Sequence, residues 1–127
     1  RVSDWKRLWI AKENKLQLVN FSPDSSLLAS GGEDSKVDIR DAETGLAKTR
    51  AIEVGALVRD IGFSPDGKRI ITGSADGSVK LWDTHSGTFL CTLGKMSRGL
   101  VRTRISPDGR FAIGCTQAGT LRIWPTE

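Results

Sequence analysis

The sequence predicts an all-β chain, and three observations carry that expectation. Phe21-Ser22-Pro23-Asp24 returns as Phe63-Ser64-Pro65-Asp66 and again as Ile105-Ser106-Pro107-Asp108, at a step of 42 residues both times. Apolar runs are about five residues long and are bounded by turn residues, which is the signature of strands. No segment keeps a clean 3.6-residue apolar period. The best candidate helix, 42–54, holds Gly45 and two threonines.

The repeat organises everything else. The same step relates Ser30-Gly31, Thr72-Gly73 and Gly114-Cys115. It also relates Val37-Asp38-Ile39-Arg40-Asp41, Val79-Lys80-Leu81-Trp82-Asp83 and Leu121-Arg122-Ile123-Trp124-Pro125. Three units, near 1–41, 42–83 and 84–127, fill almost all of the 127 residues and leave no room for a linker or a second domain. Each unit is expected to hold four strands, placed in the middle unit near 46–52, 57–63, 69–73 and 78–83. Ser64-Pro65-Asp66-Gly67 and Ser106-Pro107-Asp108-Gly109 are strong turns, because Pro presets φ and Asp and Gly tolerate the conformations that follow. Ser22-Pro23-Asp24-Ser25 lacks the glycine. Asp76-Gly77 is a two-residue hairpin signal. Asp41–Gly45 and Asp83–Gly87 form a third kind of turn. The chain opens on a run, 4–9, in register with 46–51, and it ends after the inner triplet at Trp124 without a fourth strand of its own. Strands this short need a neighbouring sheet to bury their faces.

Composition narrows the function classes. With 38% hydrophobic and 27% charged residues the chain is not of disordered type, and no apolar run reaches membrane-spanning length. Neither an initiator Met nor a signal core opens the sequence, so a mature, cut or partial chain is expected. Cys91 and Cys115 make no disulfide framework and no CxxC pair, which is the pattern of two buried small residues in a reducing compartment. An intracellular location, cytoplasmic or nuclear, is the corresponding expectation. The net charge is +4, and the surplus lies wholly in 91–127, where six basic residues face Asp108 and Glu127.

Phe63-Ser64-Pro65-Asp66-Gly67 followed by Thr72-Gly73-Ser74-Ala75-Asp76-Gly77-Ser78-Val79-Lys80-Leu81-Trp82-Asp83 resembles a WD40 repeat. The resemblance extends over three consecutive repeats and implies a β-propeller segment of about three four-stranded antiparallel blades. It implies the C-terminal arc of a larger ring, with further blades supplied by the parent chain or by self-association. Family blades carry a His–Asp–Ser/Thr–Trp network. The His position falls here at Lys12, Val54 and Met96. The Asp is kept at Asp34 and Asp76 but is Ala118 in the third repeat. The hydroxyl is kept at Ser30 and Thr72 but is Gly114, and the Trp is kept at Trp82 and Trp124 but is Arg40 in the first. These blades are therefore expected to rely on packing, the third being the most eroded.

No catalytic, cofactor-binding or metal-binding residues are assigned. Gly62 to Lys68 fits GxxxxGK, but Arg69 stands where a phosphate loop needs Ser or Thr, and a strand is expected where it needs a helix. His85, the single histidine, lies in a polar turn. Asp24, Asp66 and Asp108 occupy equivalent turns in different blades and do not converge. Asn20-Phe21-Ser22 fits a glycosylation sequon but lies in an expected strand ahead of Pro23. Trp5 and Trp9 share a strand face, as core against a preceding blade or as an exposed anchor.

The resemblance implies a non-enzymatic protein–protein interaction scaffold that docks partners on the narrow face of the propeller. Carried over by register, that face is Glu13, Lys15, Gly55, Leu57, Ser97 and Gly99, with Glu33, Ala75 and Gln117. Two alternatives remain at this point. One is a regulatory or sensor segment of a larger enzyme, a kinase or NTPase. The other is phosphate or nucleic-acid binding through a basic patch of Lys95, Arg98, Arg102 and Arg104, of which Arg102 and Arg104 share a strand face. Nucleic acid is disfavoured because no aromatic stacking platform accompanies the patch. No membrane partner is indicated.

Overall fold

Turn chemistry sets the strand ends. Asp24 Oδ1 accepts from Ser22 Oγ (2.7 Å) and from the Ser26 amide (3.0 Å), while Ser22 Oγ accepts from the Leu27 amide (2.9 Å). Asp66 with Ser64 and Asp108 with Ser106 repeat the arrangement at 2.6 Å. The next residue takes left-handed backbone in all three turns: Gly67 at φ 72°, Gly109 at 76°, and Ser25 at 64° without the freedom of glycine.

The structure, a computed structural model, describes residues 7–12, 15–97 and 99–127. Strands β1 (Leu16–Phe21), β2 (Leu27–Gly32), β3 (Lys36–Asp41) and β4 (Ile52–Glu53) form one antiparallel sheet in that order. Strands β5 (Val58–Phe63), β6 (Arg69–Ser74), β7 (Ser78–Asp83) and β8 (Phe89–Lys95) form a second. Strands β9 (Leu100–Ile105), β10 (Phe111–Thr116) and β11 (Leu121–Pro125) form a third. The sheets meet through β1, β5 and β9. This is a β-propeller segment with blades of four, four and three strands, among the described residues.

Two expectations need correction. The stretch 46–52 does not open the sheet of the middle unit. After β3 the chain reverses at Asp41–Gly45 and runs back along the free edge of β3, so it closes the preceding sheet. Its pairing is sparse, limited to Ile52–Glu53 and a bridge between Arg40 and Ala47. At the N-terminal end, residues 7–9 form no strand, and 4–6, like Trp5, lie outside the described residues. Trp9 is neither core for a preceding blade nor a free anchor. Its Nε1 donates to the Ala42 carbonyl (2.8 Å) and its ring lies on Gly45, whose lack of a Cβ leaves a flat seat on the turn.

The core lies in two seams. Ala29, Val37, Ile39, Ile52 and Val54 meet Val58, Ile61, Ile70 and Trp82 between the first and second blades. Between the second and third blades, Ile71, Val79, Leu81 and Met96 meet Leu100 and Ala112, with Trp124 packed against them. The middle blade is thus buried on both faces, which is why β6 reads Ile70-Ile71 rather than alternating. The seams correspond position by position at the 42-residue step, and the differences offset one another in part. Ile52 and Ile70 become Gly94 and Ala112, while Val54 and Val58 become the larger Met96 and Leu100. Met96 and Leu100 return only part of the volume lost at Gly94 and Ala112, and the Trp124 indole lies against Gly94. Gly94 and Gly114 both lie against Trp124, where any Cβ would crowd its indole.

In the middle blade the Trp82 indole donates to Thr72 Oγ1 (2.9 Å), and Asp76 accepts from the Ser78 amide (2.9 Å) at the hairpin. Val54, where family blades place histidine, is 2% exposed, and Met96 is likewise buried. Packing stands where the polar network would be. The cysteines depart from expectation: Cys91 and Cys115 are half-buried. Cys91 sits on the outer strand β8. Cys115 shares the face of the third blade that no described sheet covers.

Candidate functional site

The narrow-face residues carried over from register come together at one end of the sheets. There the loops leading into β1, β5 and β9 meet the loops leaving β2, β6 and β10. The Glu33 amide donates to the Lys15 carbonyl (3.3 Å), the Ala75 amide to the Leu57 carbonyl (2.8 Å), and the Gln117 amide to the Gly99 carbonyl (2.8 Å). One backbone bond, repeated three times, ties the expected pairs in the same register. Gly55 and Ser97 are exposed in the loops just before β5 and β9. Glu13 lies outside the described residues, as does Arg98. The Ser-Pro-Asp turns and the turns at Asp41 and Asp83 lie at the other end.

The edge changes character from blade to blade. In the first blade its charges are self-paired: Lys15 Nζ lies 3.7 Å from Glu33 Oε2, Gln17 Nε2 donates to Glu33 Oε1 (2.9 Å), and Lys36 lies 3.5 Å from Glu53. In the second blade it offers Leu57 and Ala75, which are apolar. Where the second blade meets the third it is cationic. Arg59, Gly99, Leu100, Arg102 and Gln117 line a hollow of about 430 Å³.

Arg59 reaches that hollow because of a backbone irregularity. Each innermost strand has a register shift at the same repeat position, between Leu16 and Leu18, between Val58 and Asp60, and between the partners of Thr116 and Cys115. The extra residues are Gln17, Arg59 and Val101. A bulge re-aims the side chain it carries. Strict alternation would have placed Arg59 on the buried face with Ile61. Nothing in the spacing of apolar residues signals this, so Arg59 is absent from the expected site.

The expected basic patch does not assemble as such. Arg102 and Arg104 do share a face, opposite Cys115 and Ile113 in the ladder. Arg104, however, is held by Asp60: Nη1 donates to Asp60 Oδ2 at 2.7 Å. Lys95 is exposed at the end of β8, the outermost strand of the middle blade, whereas Arg102 and Arg104 lie on an innermost strand. Asp60, 5% exposed, also accepts from the Thr103 amide (2.8 Å). It therefore pins the inner strand of the third blade to that of the second. Asn20 does the equivalent work one seam earlier, donating from Nδ2 to the Ile61 carbonyl (3.1 Å), and Ile61 and Thr103 are register equivalents. The sequon asparagine is thus a seam residue. Outer loops are tied as well: Lys80 donates to the Val54 carbonyl (3.1 Å) and Arg122 to the Lys95 carbonyl (3.2 Å).

His85 is exposed, and its amide caps Asp83. β6 follows the GxxxxGK stretch directly, at Arg69. Among the described residues no group of three or more His, Cys, Asp or Glu is placed to hold a metal ion. The turn carboxylates are tuned for structure. The Ser22 hydroxyl and the Ser26 amide pull Asp24 down to about 2, and the Ser64 and Ser106 hydroxyls lower Asp66 and Asp108.

Two sheet faces end in apolar side chains. Val19 and Phe21 are 63% and 59% exposed on the first blade, although Ile61, the equivalent of Val19, is 2% exposed within a seam. On the third blade Phe111, Ile113 and Ile123 line an apolar hollow of about 490 Å³.

Comparison with known families gives one match. Residues 14–41 and 53–83 match the family described as WD domain, G-beta repeat. No curated protein matches the chain.

Proposed function

We propose that this chain of WD40 repeats is a non-enzymatic scaffold that docks proteins on the edge formed by Lys15, Glu33, Leu57, Ala75, Gly99 and Gln117. The observation that carries the reading is the backbone bond repeated between 15 and 33, 57 and 75, and 99 and 117. It holds three pairs of loop residues, all exposed but the half-buried Ala75, on one rigid end, and a binding surface built on a stiff frame costs little ordering entropy when it engages. WD40 repeats generally mediate protein–protein interaction. The mixed character of the edge, self-paired charge, then apolar, then cationic, suits a protein surface better than one small molecule.

The exposed apolar faces of the first and third blades support a second part of the proposal. These faces are covered by further blades in the working assembly, as their register equivalents are covered here.

Affinity capture from cells tests the docking edge. Partners retained by the wild-type chain and by a Pro65→Ala/Lys68→Ala variant at the opposite end should be lost from a Leu57→Ala/Gln117→Ala variant. Loss confined to the opposite-end variant would overturn the assignment.

A further inference from the structure

The two uncovered faces of this chain are the two halves of one seam. Each seam joins the forward face of one blade to the rear face of the next. On the forward face of the third blade Leu121 and Ile123 are 58% and 60% exposed, whereas their register equivalents, Val37 with Val79 and Ile39 with Leu81, are buried in the two seams. The rear face of the first blade shows the complement. Leu16 and Val19 are exposed, whereas Val58 and Ile61, one step on, are buried. One position shows how the halves fit. Phe63 packs against the first seam and Ile105 against the second. Phe21 holds that position on β1, and it is exposed. The matching hollow, about 490 Å³, is lined by Phe111, Ile113 and Ile123. These are the equivalents of Leu27, Ala29 and Ile39, which belong to the seam that Phe63 joins. One chain thus carries both the knob and the hollow.

We infer that the first blade of one chain packs onto the third blade of a second copy, head to tail, and that two chains close the circle. The inference rests on the covered-face reading above and names what covers the faces. The polar groups agree with it. β1 carries no charged side chain, so Arg102 and Arg104 meet no like charge there. Farther out, Arg40 shares a face of β3 with Asp38, which balances its charge. Asn20 ties the first seam by donating to the Ile61 carbonyl. Arg104 stands two steps on from Asn20 and is likewise a donor, and the position of Ile61 on β1 is Val19. A contact between unlike faces repeats until the rotation closes. Two chains of three sheets each bring six, within the range of about four to eight over which propellers close.

Light scattering after gel filtration, at the highest soluble concentration and on dilution, tests the pairing with the intact chain and two variants. Val19→Ser/Phe21→Ser spoils the rear face and Phe111→Ser/Ile123→Ser the forward face, all at exposed positions. The wild type is expected at twice the mass of one chain, with no growth at higher concentration. Each variant alone is expected at the mass of one chain. Their equimolar mixture should move back toward the doubled mass, because the sound forward face of one meets the sound rear face of the other. Far-ultraviolet circular dichroism like that of the wild type shows that both variants fold. Should either lose it, Val19→Thr and Ile123→Thr, which keep the β-branch, take their place. A variant that still doubles alone, or a mixture no heavier than its separate components while the wild type is heavier, overturns head-to-tail pairing and leaves the covered-face reading standing. Mass that climbs steadily with concentration overturns closure by two chains. A wild type at the mass of one chain throughout overturns both readings.

Discussion

Replacing Asp60 by alanine should loosen the third blade from the second. Two bonds are lost together, one from the buried Thr103 amide at 2.8 Å and one from Arg104 Nη1 at 2.7 Å. A buried amide left without an acceptor costs about 1–3 kcal/mol. The ion pair contributes less, because the Arg104 side chain is 53% exposed and solvent screens it, so about 0.5–1 kcal/mol is assigned to it. Relief of the desolvated carboxylate offsets part of this, leaving a net loss of about 2–3 kcal/mol. Asp60→Asn keeps an acceptor for the Thr103 amide and should cost only about 1 kcal/mol. Urea unfolding followed by tryptophan fluorescence reads the difference, since Trp82 and Trp124 report on the two seams. With a slope of about 2 kcal/mol/M, Asp60→Ala should lower the midpoint by about 1–1.5 M. Adding Arg104→Ala to Asp60→Ala should cost less than Arg104→Ala costs in the wild type, because the ion pair is already broken and only the Arg104 bond to the Thr103 carbonyl (2.7 Å) remains to be lost. A midpoint within about 0.25 M of wild type, or additive effects of the two substitutions, would refute the reasoning.

Trp82→Phe removes the donor to Thr72 Oγ1 and should cost about 1–2 kcal/mol by the same unfolding assay. Gly94→Ala should destabilise by about 1–3 kcal/mol, because the new methyl meets the Trp124 indole, and near-ultraviolet circular dichroism of that ring should change with it. Acid should weaken the turns. Asp24, Asp66 and Asp108 have carboxyls lowered in the folded state, so their contribution is complete above about pH 4, the ordinary carboxylate value, and is lost as pH falls through the folded values, about 2 for Asp24. Thermal midpoints should drop between about pH 4 and 2, and Asp24→Asn should flatten that drop. The open faces should drive association: light scattering after gel filtration should show species heavier than one chain, reduced by Phe111→Ser/Ile123→Ser, whereas a strict monomer at all concentrations would contradict the covered-face proposal.

The 42-residue step made the blades legible, because turn residues such as Pro65, Asp66 and Gly67 have local geometric demands that sequence displays directly. The register carried the edge for the same reason: Leu57 and Ala75 stand at strand ends that the turns define. What escaped depends on contacts between strands far apart in sequence. Arg59 sits on a bulge, and a bulge is a relation between β5 and β6 that period-two reading of β5 alone cannot contain. Asp60 stands in β5, yet its partners, Thr103 and Arg104, lie in the next unit. The two arginines of β9 had no account in sequence, and one of them is explained by that carboxylate. The outer strand at 46–52 was found but assigned to the wrong sheet, since a repeat in sequence need not begin where a blade begins. Trp9 was read by strand parity, and the flat seat at Gly45 took it instead.

The most direct test of the docking edge is amide hydrogen exchange on the chain, free and bound to a partner captured as described above. Slowed exchange is predicted at 55–60 and 97–102 and around Ala75 and Gln117, with the turns at 64–68 and 106–110 unchanged. Protection confined to those turns, or to the outer strand β11, would contradict it.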